Sequence, residues 1–222
     1  MVFAHSLALF PLTRWVNFTL LQSRPHEVWA RFFGSSMKDD LRYTPSDCFE
    51  TFPFPPEWEK DEALEQAGRE YSEFRAALMV KNDEGLTKTY NRFHDPEERD
   101  PAILRLRELH AAMDRAVLDA YGWTDIKPTC EFLLDYEDED DEAEDGRARR
   151  RKKPWRYRWP DDIRDEVLAR LLDLNRQRAE EERRPIYEAD LAADNVAPEY
   201  KPKKPRGRPR KVPEDDPQGG LF

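Results

Sequence analysis

The chain has 222 residues, 38% of them hydrophobic and 38% charged, with a formal net charge of −10. That length allows one large or two small domains, and that balance supports a modest core beside much solvated chain. Two cysteines, Cys48 and Cys130, lie far apart with no C-x-x-C pattern, which excludes a disulfide framework or a zinc site of the usual spacing and points to a cytoplasmic location. No apolar run approaches the ~18 residues of a membrane helix. The apolar start, Met1–Leu12, lacks the basic flank and cleavage site of a signal peptide.

Charge is unevenly spread. Lys201–Lys211 carries seven basic residues and no acid, so the remainder of the chain sums to −17. An acidic body with a basic arm excludes a uniformly acidic protein and leaves nucleic acid open as a partner.

In chain order, Val2–Phe10 alternates, with Phe3, His5, Leu7 and Leu9 on one side, and reads as a strand ending at Pro11. Such a strand either pairs with very little or takes its sheet from residues missing from this chain, which is then expected to be a fragment, a split gene product or the result of a mis-called start. Arg14–Gln22 reads as a short apolar helix. Ser23 is the expected N-cap of the next helix, with Pro25 in its first turn, Phe33 at its end and Gly34 as its stop. Met37–Pro56 is aromatic and Pro-rich, a loop or edge strand laid over a core.

From Asp61 the period becomes helical, with Leu64, Ala67, Tyr71, Phe74 and Leu78 on one face and Gly85 after the end. Leu86–Phe93 is a short helix or turn. Asp100-Pro101 opens a helix whose stripe is Ile103, Leu106, His110, Met113, Val117 and Tyr121, stopped at Gly122. Asp161 or Asp162 caps a last helix with the stripe Ile163, Val167, Leu171 and Leu174. Between these helices, Glu137–Asp145 is acidic at every position but Ala143, and a basic run, Arg147–Lys153, follows at once. Adjacent blocks of opposite sign read as a solvated loop that neutralises itself.

The expected fold class is mainly α, with a short N-terminal strand remnant, a helical domain and a disordered basic C-terminal tail. The expected divisions are 1–56, 57–136, a charged linker over 137–160, a helix over 161–184 and a tail over 185–222.

The tail holds the sharpest motif. Lys203, Lys204, Pro205, Arg206, Gly207, Arg208, Pro209, Arg210 and Lys211 place an Arg-Gly-Arg-Pro core between basic flanks, similar to an AT-hook. Narrow A·T-rich minor grooves concentrate negative potential and attract arginine. Gly207 lets the backbone approach the groove floor, Pro205 and Pro209 keep the arm extended, and the lysines reach phosphates. A solubilising basic tail without site preference is the plainer alternative.

Catalytic motifs are sparse. Adenine-N6 methylation needs a flipped base held by an Asn/Asp/Ser-Pro-Pro-Tyr/Phe motif. The single Pro-Pro, Pro55-Pro56, sits in Phe54-Pro55-Pro56-Glu57 and reads as a turn. The eight glycines form no G-x-G loop for S-adenosylmethionine. Glu199-Tyr200-Lys201 matches half of a nuclease site by chance. Of the four histidines, His110 reads as a satisfied core residue, His94 closes a helix, and His26 is a surface residue that can contact a phosphate.

Several stretches together resemble one family. Leu20–Ser23 followed by His26–Ala30 resembles the end of the target-recognition domain in single-chain Type IIG restriction–modification enzymes and their adenine-specific methyltransferase relatives. Leu41–Pro55, with its Phe-Glu-Thr-Phe-Pro-Phe-Pro string, is similar to the aromatic-proline signature closing that domain. Gly85–Asn91, Ala120–Trp123 and Leu171–Asn175 look like the family's C-terminal helical region, so the resemblance covers roughly residues 2–182.

The resemblance implies a methyltransferase core with S-adenosylmethionine in an upstream domain or separate subunit, and no cofactor in this chain. It also implies double-stranded DNA as the partner and no membrane. In that picture Ser35, Ser36, Lys38, Arg42, Tyr43 and Thr44 lie in a polar loop beside DNA, with Lys38, Arg42 and Thr44 as the expected phosphate contacts. Tyr43, Phe49, Phe52 and Phe54 are expected to pack rather than touch bases. Lys88, Tyr90, Asn91 and Arg92 form a second polar face. The competing reading is a helical protein-interaction adaptor, tethered to DNA by the basic tail, with Glu137–Asp145 as its docking surface.

Overall fold

A computed structural model describes residues 10–37, 40–134 and 155–194. Compactness divides the chain into two units, Met1–Glu181 and Glu182–Phe222. The expected strand Val2–Phe10 lies outside the described residues except for Phe10. Within the described residues the fold is mainly α: seven helices and two antiparallel strand pairs.

Helix α1 (Trp15–Gln22) and α2 (Arg24–Phe33) follow one another with Ser23 between them. Ser23 does not cap α2 with its side chain; its hydroxyl donates back to the Leu20 carbonyl at 2.7 Å. The Arg24 amide is taken instead by Asp114 Oδ1 of a distant helix, at 2.9 Å. Gly34 ends α2 through its own N–H to the Ala30 carbonyl, at an ordinary negative φ.

The aromatic-proline segment opens with a short pair, β1 (Ser35–Met37) against β2 (Asp40–Arg42), and a single helical turn, α3 (Pro45–Cys48). Helix α4 (Glu62–Asn82) begins where expected, because Asp61 Oδ1 accepts the amides of Ala63 and Leu64 at 2.8 and 3.0 Å. Its left-handed stop is Asp83 rather than Gly85, which instead precedes α5 (Leu86–Phe93). Helix α6 (Pro101–Ala120) is capped by Asp100, and Gly122 after it takes a φ of +77°.

A second antiparallel pair, β3 (Glu131–Leu134) with β4 (Trp155–Arg158), brackets the charged run, with Leu134 opposite Trp155. β4 and Trp159 fall inside the segment expected as a charged linker. Trp155-Arg156-Tyr157-Arg158-Trp159 alternates basic and aromatic with period two, the pattern of a half-buried strand. Helix α7 (Asp161–Asp194) runs ten residues into the span expected as tail, through Pro185, which has no N–H for the Glu181 carbonyl.

The first unit packs around three clusters. α4, α5 and α6 share Tyr71, Leu78, Phe93, Ile103, Leu106 and Met113. α1, α4 and α6 share Val16, Leu20, Leu64 and Val117. The third cluster joins Trp29 and Phe52 to Leu118, Trp159, Val167 and Leu171, so it crosses the divisions expected at 56 and 161. Polar bonds reinforce it. Tyr121 Oη donates to the Pro53 carbonyl at 2.9 Å, and Asn175 Nδ2 donates to the Thr51 carbonyl at 2.6 Å.

The buried ion pair Arg24–Asp114 fixes how α2 meets α6. Nη1 and Oδ2 are 2.5 Å apart, with side chains only 5% and 1% exposed. Arg24 Nη2 also donates to the Tyr157 carbonyl of β4 at 3.0 Å. His110 Nδ1 lies 2.6 Å from Arg24 Nη1 and 3.2 Å from Asp114 Oδ2. The guanidinium keeps its protons, so the nearer contact makes Nδ1 an acceptor. Burial opposes the Asp114 charge, but the Arg24 guanidinium and the Arg24 backbone amide outweigh it and hold the carboxyl below its usual range.

A methyl at Gly68 would run into Thr19 Oγ1 and the Trp15 carbonyl, where α1 lies against α4. Gly68→Ala is expected to cost about 1–3 kcal/mol despite alanine's better helix propensity, read as a lower urea midpoint. Asp114→Ala leaves Arg24 charged and buried without its carboxylate. It is expected to cost about 3–5 kcal/mol in the same measurement, and a loss under about 1 kcal/mol would refute the ion pair's role.

Candidate nucleic-acid interface

Of the residues expected to touch DNA, Lys38 and the tail set Lys203, Lys204, Arg206, Gly207, Arg208, Pro209, Arg210 and Lys211 lie outside the described residues. Arg42 ends β2, opposite Ser35. Thr44 is half-buried, and its carbonyl accepts the Asp47 and Cys48 amides at 3.0 and 2.8 Å as α3 begins.

The neighbouring aromatics pack, as their composition suggested. Phe52 is 3% exposed in the core. Tyr43 stands edge-on to Phe10, and burial pushes its hydroxyl up to about 12. His26 is not at the surface: it is 3% exposed, with Nε2 3.0 Å from Tyr43 Oη and its ring edge-on to Phe52. The aromatic segment folds over α2 and covers it, which the helix's own sequence could not reveal.

The second polar face separates into two parts. Arg92 turns into a carboxylate network with Glu98, Asp100 and Glu84 at 2.6, 2.8 and 3.3 Å. Lys88 is exposed. Tyr90 and Asn91 instead line a cleft of about 340 Å³ between α2, α5 and β4. Arg24, Glu27 and Arg31 line it from α2, and Arg156, Tyr157 and Arg158 from β4.

Local bonds set these walls. Arg107, 6% exposed on α6, donates to the Phe93, Arg92 and Asp95 carbonyls at 2.9, 3.2 and 2.8 Å. It thereby satisfies the C-terminal end of α5 with a cation, the favourable sign there. His94, next in sequence, accepts the Tyr157 amide at Nδ1, 3.0 Å away, and locks β4 to α5. The proton of the neutral ring therefore sits on Nε2.

The cleft is rich in cations and hydrogen-bond donors. Arg31 pairs with Glu27 at 3.0 Å and Arg158 with Asp161 at 2.6 Å, both partly exposed pairs. Burial, and then the positive field of Arg156, lower the His94 imidazole to about 4. Such a surface suits anions. Among the described residues no group of His, Cys, Asp and Glu could hold a metal ion, and no helix is long and apolar enough to cross a membrane. The strand β4 was the part that sequence reading missed, and its alternating Arg and aromatic residues were the available signal.

Burial alone also lowers His26 from 6.5 to about 4. The unfolded chain binds these protons near pH 6.5 and the folded chain only near pH 4. Stability is therefore full above about 6.5 and falls as pH drops towards 4, by about 3 kcal/mol for each imidazole. Urea midpoints at pH 7 and pH 5 are expected to differ less in His26→Phe than in the unaltered chain. Equal pH dependence in both would show that His26 is not held neutral.

No curated protein matches this chain. A similar solved structure is that of the Type IIL restriction–modification enzyme MmeI in complex with DNA, at 26% identity and a TM-score of 0.39. The match covers 51% of this chain and 14% of that one, so the chain spans a small part of that enzyme's length. Residues 1–56, from the N-terminal segment through α1, α2, the β1–β2 pair and α3, match the family model described as "MmeI, target recognition domain".

Proposed function

We propose that this chain is a DNA-positioning, C-terminal portion of an adenine-specific (N6) DNA methyltransferase of a restriction–modification system. The observation that carries this reading is the match of residues 1–56 to a target recognition domain. The arginine-bearing cleft adds support, because α2, inside that match, contributes Arg24 and Arg31 to it.

In this reading the chain holds duplex DNA while methyl transfer takes place on a core carried by an upstream domain or a separate cytoplasmic subunit. The residues present do not fit S-adenosylmethionine: the eight glycines form no G-x-G loop, and the single Pro-Pro stands in Phe54-Pro55-Pro56-Glu57 and not in an Asn-Pro-Pro-Tyr-like motif. This chain's own work is contact. Lys38, Arg42 and Thr44 reach phosphates beside the recognition segment, which fixes register without reading sequence. The arm Lys203–Lys211 enters an A·T-rich minor groove through Arg206 and Arg208 and adds sequence-tolerant affinity.

Two measurements test this. Titration of A·T-rich and G·C-rich duplexes with the full chain should show tighter A·T binding. Arg206→Ala/Arg208→Ala should weaken it about tenfold and flatten the salt dependence by roughly two. Mapping of N6-methyladenine in source cells should show one methylated sequence lost when this coding segment is deleted. An unchanged methylation pattern would overturn the assignment. DNA binding that resides wholly in residues 201–211 would favour the adaptor tethered by its tail.

A further inference from the structure

The cleft between α2 and β4 has a small annex. A second cavity of about 20 Å³ shares Arg24, Glu27, Arg31 and Arg158 with it and adds Val28, Trp159 and Arg164. Trp159 is 2% exposed, and its indole Nε1 is buried with no hydrogen-bond partner among the described residues. A buried N–H left unpaired costs free energy and calls for an acceptor. The walls of the two cavities are dominated by guanidinium and N–H donors, with Glu27 as the one carboxylate among the described residues that line them.

We propose that this paired cavity is a phosphate site that seats one phosphodiester group of the DNA backbone. The inference rests on the DNA-positioning reading and deepens it. Guanidinium groups present planar forks of donors that match phosphate oxygens. Arg31 and Arg158 approach from α2 and β4, Arg156 stands further along β4, and Arg164 is at the start of α7. These groups are already engaged. Glu27 holds Arg31, Asp161 holds Arg158 and Arg164, and Asp165 holds Arg164.

Those carboxylates are 51%, 59% and 62% exposed, and ion pairs so open to water are weak enough to be shared with an incoming anion. Asp114 lines neither cavity; it is buried against Arg24 and stays there. That pair keeps Arg24 as a fixed wall and leaves the outer arginines to bind. The larger cavity has the size of a small-molecule site, so it holds the flanking sugar as well as the phosphate. His94, neutral with its proton on Nε2, adds an uncharged donor that does not require ionisation.

The test has two arms, both on the full chain. Inorganic phosphate is titrated while the Trp159 indole N–H is followed by ¹H–¹⁵N spectroscopy, with W159F identifying the peak. A saturable shift is expected with phosphate and not with chloride at equal ionic strength, and it should disappear in R31Q/R156Q. In the second arm, R31Q/R156Q should bind duplexes of unrelated sequence about tenfold more weakly and alike, with a salt slope shallower by about one.

Unaltered DNA affinity and slope in R31Q/R156Q, at an unchanged urea midpoint, would overturn the proposal while leaving the DNA-positioning reading intact. If the unaltered chain binds no DNA but Trp159 still responds to phosphate, the reading fails and the DNA occupant with it. The cavity is then a site for a free phosphate or a small phosphate ester.

Discussion

Arg24 and Asp114 meet with almost no water around them, and the placement of α2, α6 and β4 depends on that meeting. A charge moved into a protein interior costs several kcal/mol unless partners surround it. Here the surroundings are nearly complete. The carboxylate takes the Arg24 guanidinium on one oxygen and its backbone amide on the other, and the guanidinium reaches the Tyr157 carbonyl and His110 Nδ1 as well. A shifted helix would strand a buried charge, so the geometry tolerates little slack. Burial works against the Arg24 charge, yet Asp114 outweighs it and holds the guanidinium above its ordinary value.

The same node gives the cleft its inner wall. Arg24 faces both ways: its bonds run into the core, and its edge lines the cavity that Arg31, Arg156 and Arg158 surround. Arg107 and His94 act in parallel on the opposite side, one closing the end of α5 and the other tying it to β4. The outer cations are thus mounted on two elements, α2 and β4, that the buried bonds hold in register. A site built on fixed helices and a strand holds its ligand geometry better than one built on loops. The α2 wall lies within the segment that matches a target recognition domain.

Much of the helical framework was readable from local chemistry. Asp61 and Asp100 cap α4 and α6 because a short carboxylate before an apolar period satisfies first-turn amides, whatever lies around it. The stripes Leu64–Tyr71–Leu78, Ile103–Leu106–Met113 and Val167–Leu171 are buried because a period of 3.6 places them on one side. His110 sat on such a stripe and proved to be a bonded core residue. The aromatic-proline string also behaved as a packing segment, with Phe52 in the core.

Other features required distant parts of the chain to meet. Ser23 had the right identity for a cap, but Asp114, ninety residues away, reached the Arg24 amide. His26 looked exposed on α2 until the segment carrying Tyr43 and Phe52 folded over it. β4 is short and flanked by charge, and pairing with β3 across the acidic and basic runs gives it a place. The sequence by itself determined where helices start, which faces they bury and that a basic arm follows an acidic body, because those depend on residues within a few turns. Only the tertiary structure decided which arginines share a cleft and which are spent on the core, because that depends on contacts between residues far apart in the chain.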